Sequence, residues 1–143
     1  GSFEAMFPSI VEWVDDHYRT KAKKAYRAIA GLSMGGFHSM QISKEYPAMF
    51  EYVGLFSAAI FRGKEGVETY ADTETKLKRQ FQEGVKLYWI GIGKDDFLYD
   101  ENVRYRALLD SEGYPYTYRE SEGGHIWRNW RIYLGEYAQL LFK

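Results

Sequence analysis

The chain has 143 residues, with 19 lysines and arginines against 20 aspartates and glutamates and a formal net charge of −1. Because no basic block is present to neutralise phosphates, a nucleic-acid partner is not expected. The absence of cysteine excludes disulfides, thiolate catalysis and thiolate metal sites. No apolar run is long enough to span a bilayer, so a membrane partner is not expected either.

The first half of the chain predicts two helices and two strands. Residues 7–18 have apolar side chains at helical spacing and predict an amphipathic helix, followed by a short basic connection over residues 19–24. Residues 26–30 predict a short buried strand, and residues 37–46 predict a helix that Pro47 stops. The continuous apolar run over residues 52–57 is typical of a strand in a parallel sheet that is covered on both faces.

The second half continues the alternation of strand and helix. It predicts a long loop with some helix, a short helix closed by Gly84, a third strand, a helix ended by Gly113, a fourth strand and a terminal helix. These elements cover, in that order, residues 61–75, 76–82, 85–92, 102–111, 116–120 and 127–142. Such alternation predicts an α/β fold with about four mostly parallel strands and flanking helices, in a single domain over residues 1–143.

The motif Gly-x-Ser-x-Gly occurs at Gly31, Ser33 and Gly35, between a predicted strand and a predicted helix. This pattern is typical of a serine nucleophile held on a sharp strand-to-helix turn, where small neighbours let the helix approach the strand. A glycine-rich chain also matches the pattern by chance, as an ordinary turn. The strand before it and the helix after it favour Ser33 as a nucleophile.

A serine nucleophile needs a general base, and the chain has three histidines. His125 lies in a glycine-flanked loop after the last predicted strand, at the edge of a parallel sheet where reactive groups collect. His17 is expected on the surface of the first helix, and His38 is expected to be structural rather than part of the site. His125 is therefore the predicted base.

The base in turn needs a carboxylate that fixes its tautomer. Asp95 and Asp96 follow the third predicted strand, which lies between Ser33 and His125 in the chain order typical of this kind of site, whereas Asp100 and Glu101 lie farther along. The backbone N–H of Met34, directly after the serine, is the predicted donor to the oxyanion. No strand precedes residue 26 to provide a second donor.

Three segments together resemble one family. They are residues 27–36, the loop Gly91-x-Gly93-x-x-Asp96, and the run Gly123-Gly124-His125-x-Trp127-x-x-Trp130-Arg131. They are similar to the esterase branch of the α/β-hydrolase fold. That branch holds the feruloyl and acetyl-xylan esterases of carbohydrate esterase family 1, enterochelin esterases, S-formylglutathione hydrolases and mycolyltransferases. The similarity extends from Tyr18-Arg19-Thr20 to the last helix and is strongest to bacterial feruloyl esterases that accompany xylanases.

The resemblance implies a serine carboxylic-ester hydrolase with Ser33 as nucleophile, His125 as base and Asp96, in preference to Asp95, as the acid. It implies no cofactor and no metal, an acylated carbohydrate such as a feruloyl or acetyl ester of plant polysaccharide as substrate, and a secreted or periplasmic location. Hydrolysis of another ester or thioester, and acyl transfer, remain open. So does a non-catalytic α/β module that binds carbohydrate or assembles with another chain.

The family's domain is about twice as long as this chain. We therefore expect the C-terminal half of a catalytic domain, without the N-terminal strands and the loop that carries the second oxyanion donor. Gly1 and Ser2 resemble the scar of a cleaved tag. The strand of residues 26–30 would then have an unpaired edge, which predicts a homo-oligomer or association with the missing N-terminal half.

Three further side chains are candidates near the predicted site. Trp127 would either border the substrate pocket and stack on a sugar or aromatic acyl group, or anchor the last helix. Trp130 is expected to anchor that helix on the sheet. Ser57, at the end of its strand, is a candidate for the floor of a substrate pocket.

Overall fold

The computed structural model describes residues 2–17, 22–60 and 70–142, with side chains described over residues 5–16, 22–60 and 72–142. Four strands alternate with helices, which confirms the predicted α/β class. The elements are α1 (Ser2–His17), a 3₁₀ turn (Lys24–Tyr26), β1 (Ala28–Leu32), α2 (Met34–Glu45), β2 (Tyr52–Phe56), α3 (Tyr70–Glu83), β3 (Leu87–Gly93), α4 (Tyr99–Ser111), β4 (Thr117–Ser121) and α5 (Trp127–Gln139).

The four strands form one sheet in the order β1-β2-β3-β4, and every neighbouring pair is parallel. Leu32 of β1 is in register with Phe56 of β2, which is in register with Gly91 of β3. Because parallel strands all end at the same edge of the sheet, the loops after them lie together. This edge carries the candidate site.

The core has two parts because successive side chains of a strand point to opposite faces of the sheet. On one face, Val53, Leu55 and Ile90 pack with apolar residues of α2, α3 and α4 in the larger cluster. On the other face, the aromatic side chains of Tyr52, Phe56 and Trp89 pack against Tyr133 and Tyr137 of α5. Every residue of β2 is buried, as its apolar run predicts, whereas β1 at the sheet edge is only partly buried.

Several element boundaries differ from the predicted ones. β1 begins at Ala28 because Lys24–Tyr26 form a 3₁₀ turn, in which the Arg27 N–H donates to the Lys24 carbonyl at 3.1 Å. α3 begins at Tyr70, inside the segment predicted to be mainly loop, and α4 begins at Tyr99. Acidic residues in the first turn of each helix favour these earlier starts, because they complement the positive end of the helix dipole.

Two further boundaries differ, and some predictions cannot be followed. α1 begins at Ser2, earlier than predicted, and α5 ends at Gln139 instead of continuing to Phe142. The predictions for Tyr18-Arg19-Thr20 and for the loop over residues 61–69 lie outside the described residues. Within the described ranges, every helix is too short or too polar to cross a membrane.

Candidate active site

Ser33 occupies a strained turn between β1 and α2. Its backbone angles are φ 54° and ψ −117°, a region that residues other than glycine rarely adopt. Three hydrogen bonds hold this conformation. The Ser33 N–H donates to Phe56 O at 2.9 Å, and the Ser33 carbonyl accepts from the N–H groups of Phe37 at 3.2 Å and Ala59 at 3.1 Å. Strain maintained by its surroundings in this way is typical of functional positions.

Two glycines are required around this turn for reasons of space. A Cβ atom on Gly31 would lie 2.2 Å from the Gly35 carbonyl oxygen, and one on Gly36 would lie 2.5 Å from the Ala58 Cβ. Gly35, although part of the motif, has open space around its Cα. The expectation that small residues permit a close approach therefore holds for Gly31 and Gly36, and it is wrong for Gly35.

The loops after β3 and β4 bring Asp96 and His125 together. His125 Nδ1 lies 2.9 Å from Asp96 Oδ2, and Asp96 Oδ1 accepts a hydrogen bond from the Leu98 N–H at 2.8 Å. The Asp96 side chain is fully buried, whereas the imidazole is 19% exposed. A carboxylate can only accept, so a neutral imidazole paired with it carries its proton on Nδ1 and presents a lone pair on Nε2. Asp95 is exposed.

The two loops are fixed to each other by backbone contacts. The Lys94 N–H donates to Ser121 O at 2.9 Å, and the Asp95 N–H donates to Gly123 O at 3.0 Å. A Cβ atom on Gly93 would lie 2.2 Å from the Gly123 carbonyl oxygen, so only glycine allows this approach. The Asp96–His125 pair therefore rests on two loops of defined relative position.

Asn129 adds an anchor that the sequence did not indicate. This side chain is buried in the first turn of α5, and its amide donates to Glu122 O at 3.0 Å and to Gly124 O at 2.9 Å. Both carbonyls belong to the loop that leads to His125. The only sequence signal is the position of Asn129 one helical turn after the histidine, and this spacing belongs to none of the motifs described above.

Aromatic side chains flank the His125 ring. Phe97 and Trp130 lie with ring centroids 5.0 Å and 4.9 Å from the imidazole. Trp127 packs edge-to-face on Trp130 at 5.2 Å and is 69% exposed, so it is accessible to a substrate. Phe97, which is also largely exposed, had no sequence motif to single it out.

Ser57, at the end of β2, makes a specific contact with the last helix. Its side chain is fully buried, and its Oγ accepts a hydrogen bond from Trp130 Nε1 at 3.1 Å. It therefore supports Trp130, and its place at the floor of a substrate pocket stays a prediction. A nearby cavity of about 240 Å³ is formed mainly by residues 30–32 of β1 and by Trp127, Trp130 and Leu134 of α5.

The other candidates are placed as follows. Met34 is the first residue of α2, where backbone N–H groups have no intrahelical acceptor and the helix dipole favours negative charge. His38 lies on α2 with its ring 5.6 Å from that of Phe37, and the side chain of His17 lies outside the described residues. Asp100 and Glu101 occupy the first turn of α4. Among the described residues, no three histidines or carboxylates form a group that could hold a metal ion.

A parallel α/β sheet with a serine at a strained strand-to-helix turn is the architecture of the α/β hydrolases. The family model described as "Putative esterase" matches residues 8–139, and the chain belongs to this family. The resemblance noted from the sequence motifs is thereby confirmed.

Two curated relatives are similar over almost the whole chain. The chain is 33% identical over 141 residues to an endo-1,4-beta-xylanase/feruloyl esterase of Xylanibacter ruminicola, covering 98% of this chain and 18% of that protein. It is 28% identical over 163 residues to an acetyl esterase of Caldicellulosiruptor saccharolyticus, covering 94% of this chain and 61% of the relative. The chain thus spans less than two thirds of either protein.

Solved structures of esterases share the fold. An S-formylglutathione hydrolase of Staphylococcus aureus superposes with a TM-score of 0.83 and 20% identity, covering 99% of this chain and 61% of the other. A ferulic acid esterase of Anaeromyces mucronatus superposes with a TM-score of 0.76 and 20% identity, covering 97% and 52%. At these identities the superpositions establish the α/β-hydrolase fold alone.

Proposed function

We propose that this chain carries the triad of a serine carboxylic-ester hydrolase, with Ser33 as nucleophile, His125 as general base and Asp96 as the residue that orients His125. The observation that carries the proposal is the 2.9 Å hydrogen bond between His125 and the buried Asp96. It lies at the sheet edge where the strained turn of Ser33 also lies. Family membership supports the same reaction class.

The reaction follows from this arrangement. Ser33 Oγ attacks the ester carbonyl carbon while His125 Nε2 takes the hydroxyl proton, and the resulting imidazolium is stabilised by the Asp96 carboxylate. The tetrahedral intermediate collapses when the C–O bond to the alcohol breaks and Nε2 gives its proton to the leaving oxygen. Water, deprotonated by Nε2, then attacks the acyl-enzyme and releases the acid with the Ser33 hydroxyl restored.

The Met34 N–H is the donor that this chain provides to the oxyanion. Its position at the start of α2 favours this role, because the group is not used inside the helix and lies at the positive end of the helix dipole. A preorganised backbone donor of this kind stabilises the charge that develops on the carbonyl oxygen in the transition state.

The substrate class we propose is an acylated plant polysaccharide carrying a feruloyl or acetyl ester. The two curated relatives are named a xylanase/feruloyl esterase and an acetyl esterase. Between these acyl groups, the exposed rings of Trp127 and Phe97 and the apolar cavity beside β1 favour an aromatic acid, which stacks on such rings.

A fluorophosphonate probe tests the reaction class directly, because it bonds covalently to an activated serine. We expect mass spectrometry of the peptide containing residues 28–36 to place the label on Ser33, and Ser33→Ala to abolish labelling. Hydrolysis of methyl ferulate and of an acetyl ester then compares the two acyl groups. Carbohydrate binding without labelling or hydrolysis would favour the non-catalytic alternative.

A further inference from the structure

We propose that Trp130, held by Ser57, is a positioning residue that fixes the orientation of the His125 imidazole. The expected effect of Trp130 on turnover rests on the ester hydrolysis proposed above, whereas its effect on the orientation of the His125 imidazole does not. Trp130 is placed to act because its indole lies edge-to-face against the imidazole, at 4.9 Å between centroids and an interplanar angle of 84°.

The hydrogen bond to Asp96 leaves one freedom of His125 uncontrolled. It restrains the distance from Nδ1 to Asp96 Oδ2. Coupled rotation about the two side-chain torsions can still pivot the ring at that distance. Such a pivot would swing Nε2 away from the atom whose proton it must take. The rings of Phe97 and Trp130 both contact the imidazole and oppose this pivot. Phe97 is 66% exposed, so Trp130 is the better anchored of the two.

The anchoring of Trp130 depends on Ser57. Trp130 Nε1 donates to Ser57 Oγ at 3.1 Å, across 73 residues of sequence. Turning the indole over would move Nε1 away from this acceptor and leave a polar group unpaired, which is costly where water is excluded. One orientation of the indole is therefore selected.

The backbone of Ser57, which provides this acceptor, is itself strained. Its φ is 47°, in the left-handed region, and its N–H donates to Gly91 O at 2.8 Å. Glycine would occupy this position at no steric cost. Serine at position 57 thus retains backbone strain that glycine would relieve. We attribute the presence of serine there to the hydrogen bond that it accepts from Trp130. The preceding residue, Phe56, accepts the hydrogen bond from the Ser33 N–H. Residues 56 and 57 therefore contact both the nucleophile's turn and the indole that packs on His125.

The experiment compares Ser57→Gly, Trp130→Phe and the double variant with the unmodified chain. Ser57→Gly keeps the positive φ and removes the acceptor, whereas Trp130→Phe keeps a ring against His125 and removes the donor. Tyr105→Phe is the matched control, because it removes a buried hydrogen bond of 2.6 Å to Tyr88 in the other part of the core.

The first readout is the imidazole itself, observed by NMR with labelled histidine at a pH where the ring is neutral and assigned with His125→Ala. We expect each test variant to lose the protected Nδ1–H signal and to broaden the His125 ring signals, and Tyr105→Phe to leave both unchanged. Unchanged His125 signals in Ser57→Gly and Trp130→Phe would overturn the proposal. This readout shows whether Trp130 and Ser57 orient the His125 imidazole even in a preparation without esterase activity.

The second readout is ester turnover. We expect kcat to fall on the order of tenfold in either single variant, less than the roughly hundredfold that a misplacement of about 1 Å costs. KM should stay nearly unchanged in Ser57→Gly, whereas Trp130→Phe also alters a wall of the cavity beside β1. Because both changes remove the same hydrogen bond, the double variant should be no slower than the slower single variant. A rise in KM alone, or additive losses in kcat, would contradict a positioning role.

Discussion

His125 Nδ1 and Asp96 Oδ2 lie 2.9 Å apart although the two residues are 29 positions apart in the chain. The carboxylate is completely buried, and its other oxygen accepts a hydrogen bond from the Leu98 N–H. Burial of an ionised group is costly unless its oxygens are paired, and both oxygens of Asp96 have partners. This relationship distinguishes Asp96 from the exposed Asp95 next to it.

We therefore expect Asp96→Asn to lower kcat severely and Asp95→Asn to lower it only slightly. An asparagine at position 96 can donate to His125 Nδ1 and so stabilise the tautomer that places the proton on Nε2, where it blocks general-base action. The expected loss in kcat is on the order of a thousandfold or more. Asp95→Asn keeps the backbone contact to Gly123 and should change kcat by less than about twofold. Steady-state kinetics on one ester decides, and the reverse ranking would show that Asp95 is the acid.

Ser33→Ala and His125→Ala should each remove most of the turnover, by several thousandfold or more, because the two groups act as one unit. The double variant should be about as slow as either single one. Active-site titration with the fluorophosphonate probe separates loss of the nucleophile from loss of the base. Losses that multiply in the double variant would contradict a shared proton-transfer step.

The motif glycines should differ in their tolerance of a methyl group. Gly31→Ala forces a Cβ to within 2.2 Å of the Gly35 carbonyl oxygen, and backbone must shift, at a cost of about 3 kcal/mol or more. Gly35→Ala has open space and sits in α2, where alanine favours the helix by roughly 0.5–1 kcal/mol. Urea unfolding measures both. Equal destabilisation by the two substitutions would show that the turn at Ser33 is not packed as described.

The sequence predicts the α/β class because strand and helix patterns alternate along the chain from residue 26 onward, apart from residues 61–75, which have no clear period. It also points to Ser33, to the pair Asp95 and Asp96, and to His125, because each carries a local signal: a motif, strand-end acids and a glycine-flanked loop. The preference for Asp96 over Asp95 comes from the family resemblance and not from a local pattern. It misplaced the start of α3, where a polar segment lacks the apolar period of a helix and the acidic first turn supplies the start signal.

The supporting residues of the site could not be predicted from local patterns. Ser57 and Trp130 meet across 73 residues, and nothing in a strand-end serine shows where its hydroxyl points. Asn129 and Phe97 likewise act through contacts that only the folded loops create. Motif spacing identifies groups that do chemistry, whereas the groups that hold them depend on three-dimensional packing.

Glu120 should make stability depend on pH. Hydrogen bonds from the hydroxyls of Tyr99 and Tyr118, both at 2.7 Å, lower the pKa of its carboxyl group. A folded-state pKa below the unfolded value contributes stability that is present above the unfolded pKa and lost as pH falls through the folded one. Removing both hydroxyls with the double substitution Tyr99→Phe/Tyr118→Phe should reduce the loss of unfolding free energy as the pH falls from the unfolded pKa of Glu120 to its folded pKa.

Urea midpoints measured over an acidic pH series test this expectation. The matched control is Glu120→Gln, which cannot ionise and should show the same flattened pH profile as the double phenylalanine variant. A profile identical to that of the unmodified chain in both variants would contradict the role of Glu120.

The edge of β1 leads us to propose that this chain associates in solution. Among the described residues, β1 pairs with a strand on one side only, and Ala28–Leu32 contain no charge or proline to block further pairing. Beside it, a cavity of about 960 Å³ is lined mainly by apolar side chains of α1 together with Phe50 and Phe142, and also by the ion pair of Asp15 and Arg27. Apolar side chains next to an unpaired strand edge favour an interface there.

We therefore expect light scattering after size-exclusion chromatography to give a mass of a dimer or larger at micromolar concentration. Ala30→Lys places a charge on an exposed position of the β1 edge and should shift the mass toward the monomer, because a lysine opposes edge-to-edge pairing. Ala107→Lys, at an exposed position of α4, adds the same charge elsewhere and should leave the mass unchanged. A monomer at every concentration for the unmodified chain would contradict the association, and equal effects of both lysines would place the interface away from β1.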